Sequence, residues 1–327
     1  MSADFKVVLT AGHHSAAERV DDRSLEELIF AATSAAIAKA GLTPDQIDAV
    51  VISGNDQTDG RIISCMVSTG AAAGVGKNVT TVASAPEHAF TYAVMRLLAG
   101  QGSNVLVVGW SKPSESVHPE HAELVSADPF YVRPIGMNRQ IAAALQASVG
   151  AGPAEAGTGY LAWPLEAGST HSDGVCAVVL EARERGDRRP GAVVRGMGWA
   201  MDRYELGDRD DAIAGGFDQA LQRATGQAGP SYGPVDSVDA YAVGAPNERR
   251  IVERTASSIG SPDTVLHASD EELSPDFAAG LFTIWRAARR ILPDASPNPV
   301  ARAAAVSTLG FAAQGTTVVL LSDAREA

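Results

Sequence analysis

Short apolar runs bounded by turn residues recur along the chain. They are AVVISG at 49–54, NVLVVGW at 104–110, CAVVLEA at 176–182, AYAVG at 240–244 and TTVVLLSDA at 316–324. Runs of this length without polar alternation predict strands buried on both faces. Two helical stretches, HAFTYAVMRLLAG at 88–100 and FAAGLFTIWRAARRIL at 277–292, are apolar on nearly every side. A helix with so few polar positions predicts burial rather than a surface seat. Each leads into a strand, the second into ARAAAVSTLGF at 301–311.

The order of these pieces repeats. Residues 31–55 and 219–247 each read as an Ala-rich helix, a Gly/Pro loop, an acidic dipeptide and a short apolar run ending at Gly and Asn. An apolar helix, its strand and a closing strand then follow in both. A repeat of this length predicts a duplicated β/α architecture, with an N-terminal half at 1–185 and a C-terminal half at 186–327. The charged, Pro- and Gly-bearing stretch EARERGDRRPGA at 181–192 reads as the junction. Residues 111–170 have no counterpart in the second half and read as a cap insertion, a common home for binding surfaces.

Composition narrows the function classes. The 327 residues are 45% hydrophobic and 20% charged, which suits a globular chain with a sizeable core. Basic residues number 26 against 39 acidic, a net charge of −13, which argues against a nucleic-acid binder and a polybasic membrane anchor. No apolar run approaches the roughly 18 residues of a membrane span, and the N-terminus lacks a signal layout. Two cysteines, Cys65 and Cys176, fit a reducing, cytoplasmic setting rather than a disulfide scaffold. No zinc spacing is present, GAAAGVGKNVTT at 70–81 is no phosphate loop, and no cofactor is expected.

Three segments resemble the thiolase superfamily, which includes thiolases and ketoacyl synthases. DDRSLEELIFAATSAAIAKAGLTPDQIDAVVISG at 21–54 is similar to the sterol-carrier type of thiolase. PLEAGSTHSDGVCAVVLEARERG at 164–186 resembles the family's DGA-A-VLE strand, and STLGFAAQGTTVVLL at 307–321 its C-terminal Gly-rich turn. The resemblance implies a duplicated α/β fold of five layers, α-β-α-β-α, with two sheets around two buried helices. It also implies a dimer and a substrate carried as a thioester on coenzyme A or acyl carrier protein.

The chemistry implied by the resemblance is altered at each expected position. The family places a nucleophilic Cys at the N-terminus of the first buried helix, where dipole and His favour a thiolate. Counting back from LLAGQGSNVLVVG puts Ala83 there. The family's two further catalytic groups fall at Val243 and Ser274. The C-terminal turn keeps Gly310 and Phe311 as pocket residues but replaces the next two glycines by Ala312 and Ala313.

The remaining polar candidates read first as structure. Ser84, with Pro86 and Glu87 behind it, has the form of a capping box, which competes with a role as nucleophile. His88 reads as a hydrogen-bonded core or interface residue before a general base. Cys65 and Cys176 read as core thiols, and His13 and His14 as surface residues in a loop after the first strand. His118 and His121 lack a third ligand, His171 beside Ser172 and Asp173 reads as a turn, and Asn247 and Glu248 as a helix cap. His267 is the nearest histidine to the second lost position, and Tyr241 lies in the apolar run at 240–244.

The first function expected from this pattern is a non-catalytic, ketosynthase-like subunit. It would pair with an active condensing enzyme and shape an acyl-thioester pocket, as chain-length factors do in polyketide or fatty-acyl metabolism. The alternative is a thiolase-like enzyme of altered chemistry, a retro-aldolase or an acyltransferase. Tyr241, His171 and His267, or Ser84 with His88 or His267, are then the residues to test. A stand-alone acyl-thioester binder is a third class, disfavoured by the acidic charge. Expected partners are a homologous condensing subunit, which the resemblance implies would pair through the strand at 80–84 and the adjacent insertion, and an acyl-CoA or acyl-carrier thioester. The aldolase reading adds a small zinc-containing OB-fold protein.

Overall fold

In the computed structural model the continuously apolar runs are strands. Among the described residues ten strands are formed: β1 (Phe5–His14), β2 (Ala49–Ser53), β3 (Asn78–Thr81), β4 (Asn104–Ser111), β5 (Gly174–Glu184), β6 (Ala192–Met201), β7 (Val235–Tyr241), β8 (Gly260–His267), β9 (Arg302–Leu309) and β10 (Gly315–Asp323). The α-helices among the described residues are α1 (Leu25–Lys39), α2 (Pro86–Leu98), α3 (Gly215–Ala228), α4 (Ala245–Ile259) and α5 (Ala279–Ile291). The structure describes residues 5–56, 66, 68–117, 124–125, 127–137, 141–142, 172–203, 215–241, 245–267, 277–309 and 314–325.

The strands hydrogen-bond in the order β3-β2-β4-β5-β1-β6-β10-β9-β7-β8. Read from each end inward, the two sets of five have one topology. β2 pairs in parallel with β3 and β4, and β5 runs antiparallel to β4 and β1. Likewise β7 pairs in parallel with β8 and β9, and β10 runs antiparallel to β9 and β6. The two sets meet over two register positions only, Val8 with Val193 and Leu9 with Ala192.

Burial assigns the layers. α1 sets Leu25, Leu28 and Ile29 against Val50, Ile52 and Leu106 on the outer face of the first sheet. α2 and α5 lie between the sheets, where Phe90, Val94 and Leu97 meet Leu281, Ile284 and Ile291. α3 and α4 cover the outer face of the second sheet with Phe217, Leu221, Ile251 and Val252. The result is the duplicated α-β-α-β-α arrangement that the sequence led us to expect. Phe90 and Leu97 are fully buried. Each such side chain is worth about 1.5–3 kcal/mol, more than the ~1 kcal/mol of a helix cap. Packing therefore holds α2.

Local readings need correction in four places. His13 and His14 are the last residues of β1, not loop residues after it, because β1 pairs with β5 as far as His14. Residues 181–184 of the expected junction belong to β5, whose ladder to β1 continues to Glu184. Asn247 is the third residue of α4, inside the helix rather than at its cap. The N-cap of α2 is Ala85, not Ser84. Among the described residues, no helix is long and apolar enough to cross a membrane.

Candidate active site

Ser84, Glu87 and His88 bring polar side chains to the start of α2. Pro86 is the first helical residue, and its fixed φ suits that position. It packs against β4 at Gly109, where an added Cβ would stand 2.6 Å from the Pro86 ring. Seating proline there makes Ala85 the N-cap, and no side chain caps the helix. The segment between β3 and α2 is pinned to the end of β2. Val82 N donates to Ile52 O at 2.9 Å, and the Ser53 hydroxyl donates to Ser84 O.

Ser84 is thereby left with its hydroxyl directed at the helix side. Ser84 Oγ lies 2.8 Å from His88 Nδ1, one turn along. His88 is half-buried, and burial lowers its pKa from 6.5. The imidazole is then neutral at pH 7, and its Nδ1 accepts the hydroxyl proton in the Nε2–H tautomer. Ala83, by contrast, is exposed and carries only a methyl group.

Glu87, next to His88, turns into the interior and is 2% exposed. Its carboxylate accepts a hydrogen bond from Ser307 Oγ of β9 at 3.2 Å. The other oxygen lies against Gly280 in the first turn of α5, where an added Cβ would stand 2.0 Å from it. A methyl group there would have to displace the carboxylate. The N-terminal turn of α5 is also a favourable place for negative charge. Tyr241, buried at the end of β7, pairs in register with Ser307.

His267 is placed elsewhere. It ends the edge strand β8, in register with Asp239, and burial is the largest cause lowering its pKa. Asp239 is held by Arg290 of α5 through two bonds of 2.6 and 2.9 Å. No hydrogen bond joins His267 to Ser84 or His88, so of the histidines named with Ser84 only His88 meets it. Cys176 is fully buried, its thiol is pushed up by burial, and it touches Leu281 O, as a core thiol does. His13 accepts from Lys39 at 3.1 Å, and the His14 ring sits 5.1 Å from that of Phe282. Cys65, His118, His121, His171, Val243, Ser274, Gly310 and Phe311 lie outside the described residues. Among the described residues no three His, Cys, Asp or Glu gather as metal ligands.

The sequence reading missed a buried ion pair. Lys112 Nζ lies 2.7 Å from Asp173, both almost wholly inaccessible. The ammonium also donates to Asp21 O at 2.6 Å and Ser114 Oγ at 2.8 Å. Asp173 accepts from the backbone of Asp21 and Ser114. This network ties the chain after β1 to the turns after β4 and before β5. It has no local sequence signature, since its members are up to 152 residues apart.

Solved structures share this architecture. The chain superposes on one from the Ltp2-ChsH2(DUF35) aldolase with a TM-score of 0.62, over 98% of each chain, at 16% identity. The fold is thiolase-like. It also superposes on 3-oxoacyl-[acyl-carrier-protein] synthase III from Aquifex aeolicus VF5 with a TM-score of 0.57, over 97% of this chain and 99% of that one, at 13% identity. No family model matches the sequence, and no curated protein does. The count made on the resemblance above falls on Ala83, one residue before Ser84.

Proposed function

We propose that this chain is a thiolase-like acyl-thioester enzyme of altered chemistry, in which Ser84 and His88 replace a cysteine-based site. The observation that carries the reading is the 2.8 Å contact between Ser84 Oγ and His88 Nδ1 at the uncapped start of α2. In the proposed step Ser84 Oγ attacks the thioester carbonyl, and its proton passes to His88. The carbon–sulfur bond breaks, and the thiolate leaves with that proton. The product is an acyl-serine ester, which water or a second acceptor then cleaves. The N-terminal end of α2, with no capping side chain, is suited to hold the oxyanion. Incubation with acetyl-CoA should release thiol and leave an acetyl group on Ser84, detected by mass spectrometry of the digested protein. Ser84→Ala should abolish both, and His88→Gln should slow thiol release by about 10²–10⁴-fold. The acid limb of the rate should lie below pH 6.5, the ordinary histidine value from which burial lowers His88. Thiol release that is unchanged in Ser84→Ala would dismiss this reading.

The non-catalytic partner reading keeps one supporting observation. Ala83, the counted nucleophile position, is an exposed methyl group that cannot attack. Its second support, Ser84 as a committed cap, is replaced by Ala85. On that reading the chain pairs with a homologous condensing subunit through β3, an edge strand, and shapes the partner's acyl pocket. One similar structure bears a two-component name and is an aldolase, which supports pairing with a second chain, and a small zinc-containing OB-fold protein is the partner to try. Activity that appears only on mixing with such a chain, and survives Ser84→Ala, would favour it over the serine site.

A further inference from the structure

Past the two register pairs that join the sheets, β1 and β6 part, and a cavity of about 660 Å³ opens between them. Phe5 and Val7 line one side, Val193 and Met197 the other, and Val94 and Leu98 of α2 the base. Leu98 is the last residue of α2, so the cavity lies at the helix end opposite Ser84. The volume falls within the roughly 300–1,000 Å³ of small-ligand clefts.

Among the described residues the charged lining is basic, Lys6, Arg185 and Arg195, with no Asp or Glu. That is unexpected in a chain of net charge −13. Several arginines nearby have partners, Arg185 of the lining among them. Arg183 pairs with Glu181, Arg189 with Asp187 and Arg325 with Asp323. Arg195 is half-buried and makes no hydrogen bond or ion pair among the described residues. It is also the residue that the β6–β10 ladder skips, because Leu320 pairs with Gly196 and Leu321 with Val194. A bulge of this kind re-aims a side chain. The Lys6 amine donates to Ala324 O at 3.1 Å. Burial is the main cause lowering its pKa, and Arg183, Arg188 and Arg195 add to it against Asp187.

We propose that this seam binds a small anionic amphiphile, its carboxylate or phosphate head on Arg195, Lys6 and Arg185 and its apolar chain along Val7, Val94 and Met197. A guanidinium takes either head group through paired N–H bonds, and the apolar walls shelter the chain from water. The site is separate from the Ser84 site and does not depend on the function proposed for it. The competing role for the arginines is to neutralise the C-terminal ends of α2 and α3, Leu98 and Ala228, which also line the cavity.

Calorimetric titration of the full chain with decanoate tests the proposal. Decanoate should saturate one site, with decan-1-ol and inorganic phosphate each at least about tenfold weaker, a difference of ~1.4 kcal/mol. Decyl phosphate in place of decanoate reads which head group is preferred. Arg195→Gln and Leu98→Glu should each weaken decanoate at least about tenfold, while Ser84→Ala leaves it unchanged. Leu98 is 45% exposed, so the added carboxylate does not threaten folding. No saturable binding would overturn the proposal. So would equal binding of decanol or phosphate, loss of binding in Ser84→Ala, or an Arg195→Gln protein that is less stable yet binds decanoate as before.

Discussion

Ser24 with Glu27 and Ser84 with Glu87 share the spacing Ser-x-x-Glu before a helix and do different things. Ser24 caps α1, with Ser24 Oγ accepting from Glu27 N at 3.2 Å and Glu27 accepting from Ser24 N at 2.8 Å. Ser84 and Glu87 form no such box, because Pro86 takes the first helical position and moves the cap to Ala85. The sequence contains both patterns, and only the second carries a proline, Pro86. Titration gives a second residue-scale outcome. His13, His88 and His267 are all held below 6.5, chiefly by burial. The unfolded chain therefore takes up protons at a pH where the folded chain still refuses them. Stability is fully present above pH 6.5 and falls as pH drops from there through the lowered folded values. Asp21, bonded to Arg23, and Asp187, held to about 2 by Arg189, add a second loss below their ordinary value of 3.8. Urea midpoints measured from about pH 8 to pH 3 should show both stages. A flat curve between the two values would contradict the burial of these histidines.

At the scale of elements, the continuously apolar strands were legible, and β6 and the edge strand β8 were not. β2 and β4 are continuous apolar runs, buried along nearly their whole length. β8, GSPDTVLH, is mostly exposed, and backbone pairing with β7 alone makes it a strand. β6 is broken by Arg195, Gly196 and Gly198, so its run never reads as apolar. The seat of α5 against α2 yields a prediction with a change of sign. Gly280→Ala forces a methyl group into the Glu87 carboxylate and should destabilise by about 1–3 kcal/mol. In a Glu87→Ala background the clash is gone, and the better helix propensity of alanine, up to ~1 kcal/mol, should make the same change favourable. Denaturant midpoints of the four proteins give the coupling. Additive effects would mean that the two residues do not touch.

For the whole molecule, duplication was visible in the repeat of helix, loop and apolar run, because those signals are local. The contacts that join the halves were not. Glu87 and Ser307 are 220 residues apart, and nothing near either one points to the other. The same holds for Lys112 and Asp173, whose pairing closes the first half around the turn after β1. Lys112→Met leaves the Asp173 carboxylate buried without its cation and should lower stability by about 3–5 kcal/mol. Thermal unfolding of the variant checks this, and a loss under ~1 kcal/mol would mean that water reaches Asp173.

α2 and α5 touch strands of both sheets: Leu97 and Phe282 share a cluster with Val51 and Val107 from one side and Ala305 and Val319 from the other. Neither sheet can swing away without wetting both helices at once. Their amide protons should therefore exchange with deuterium together, at the slowest rate in the protein, however early the outer helices lose theirs.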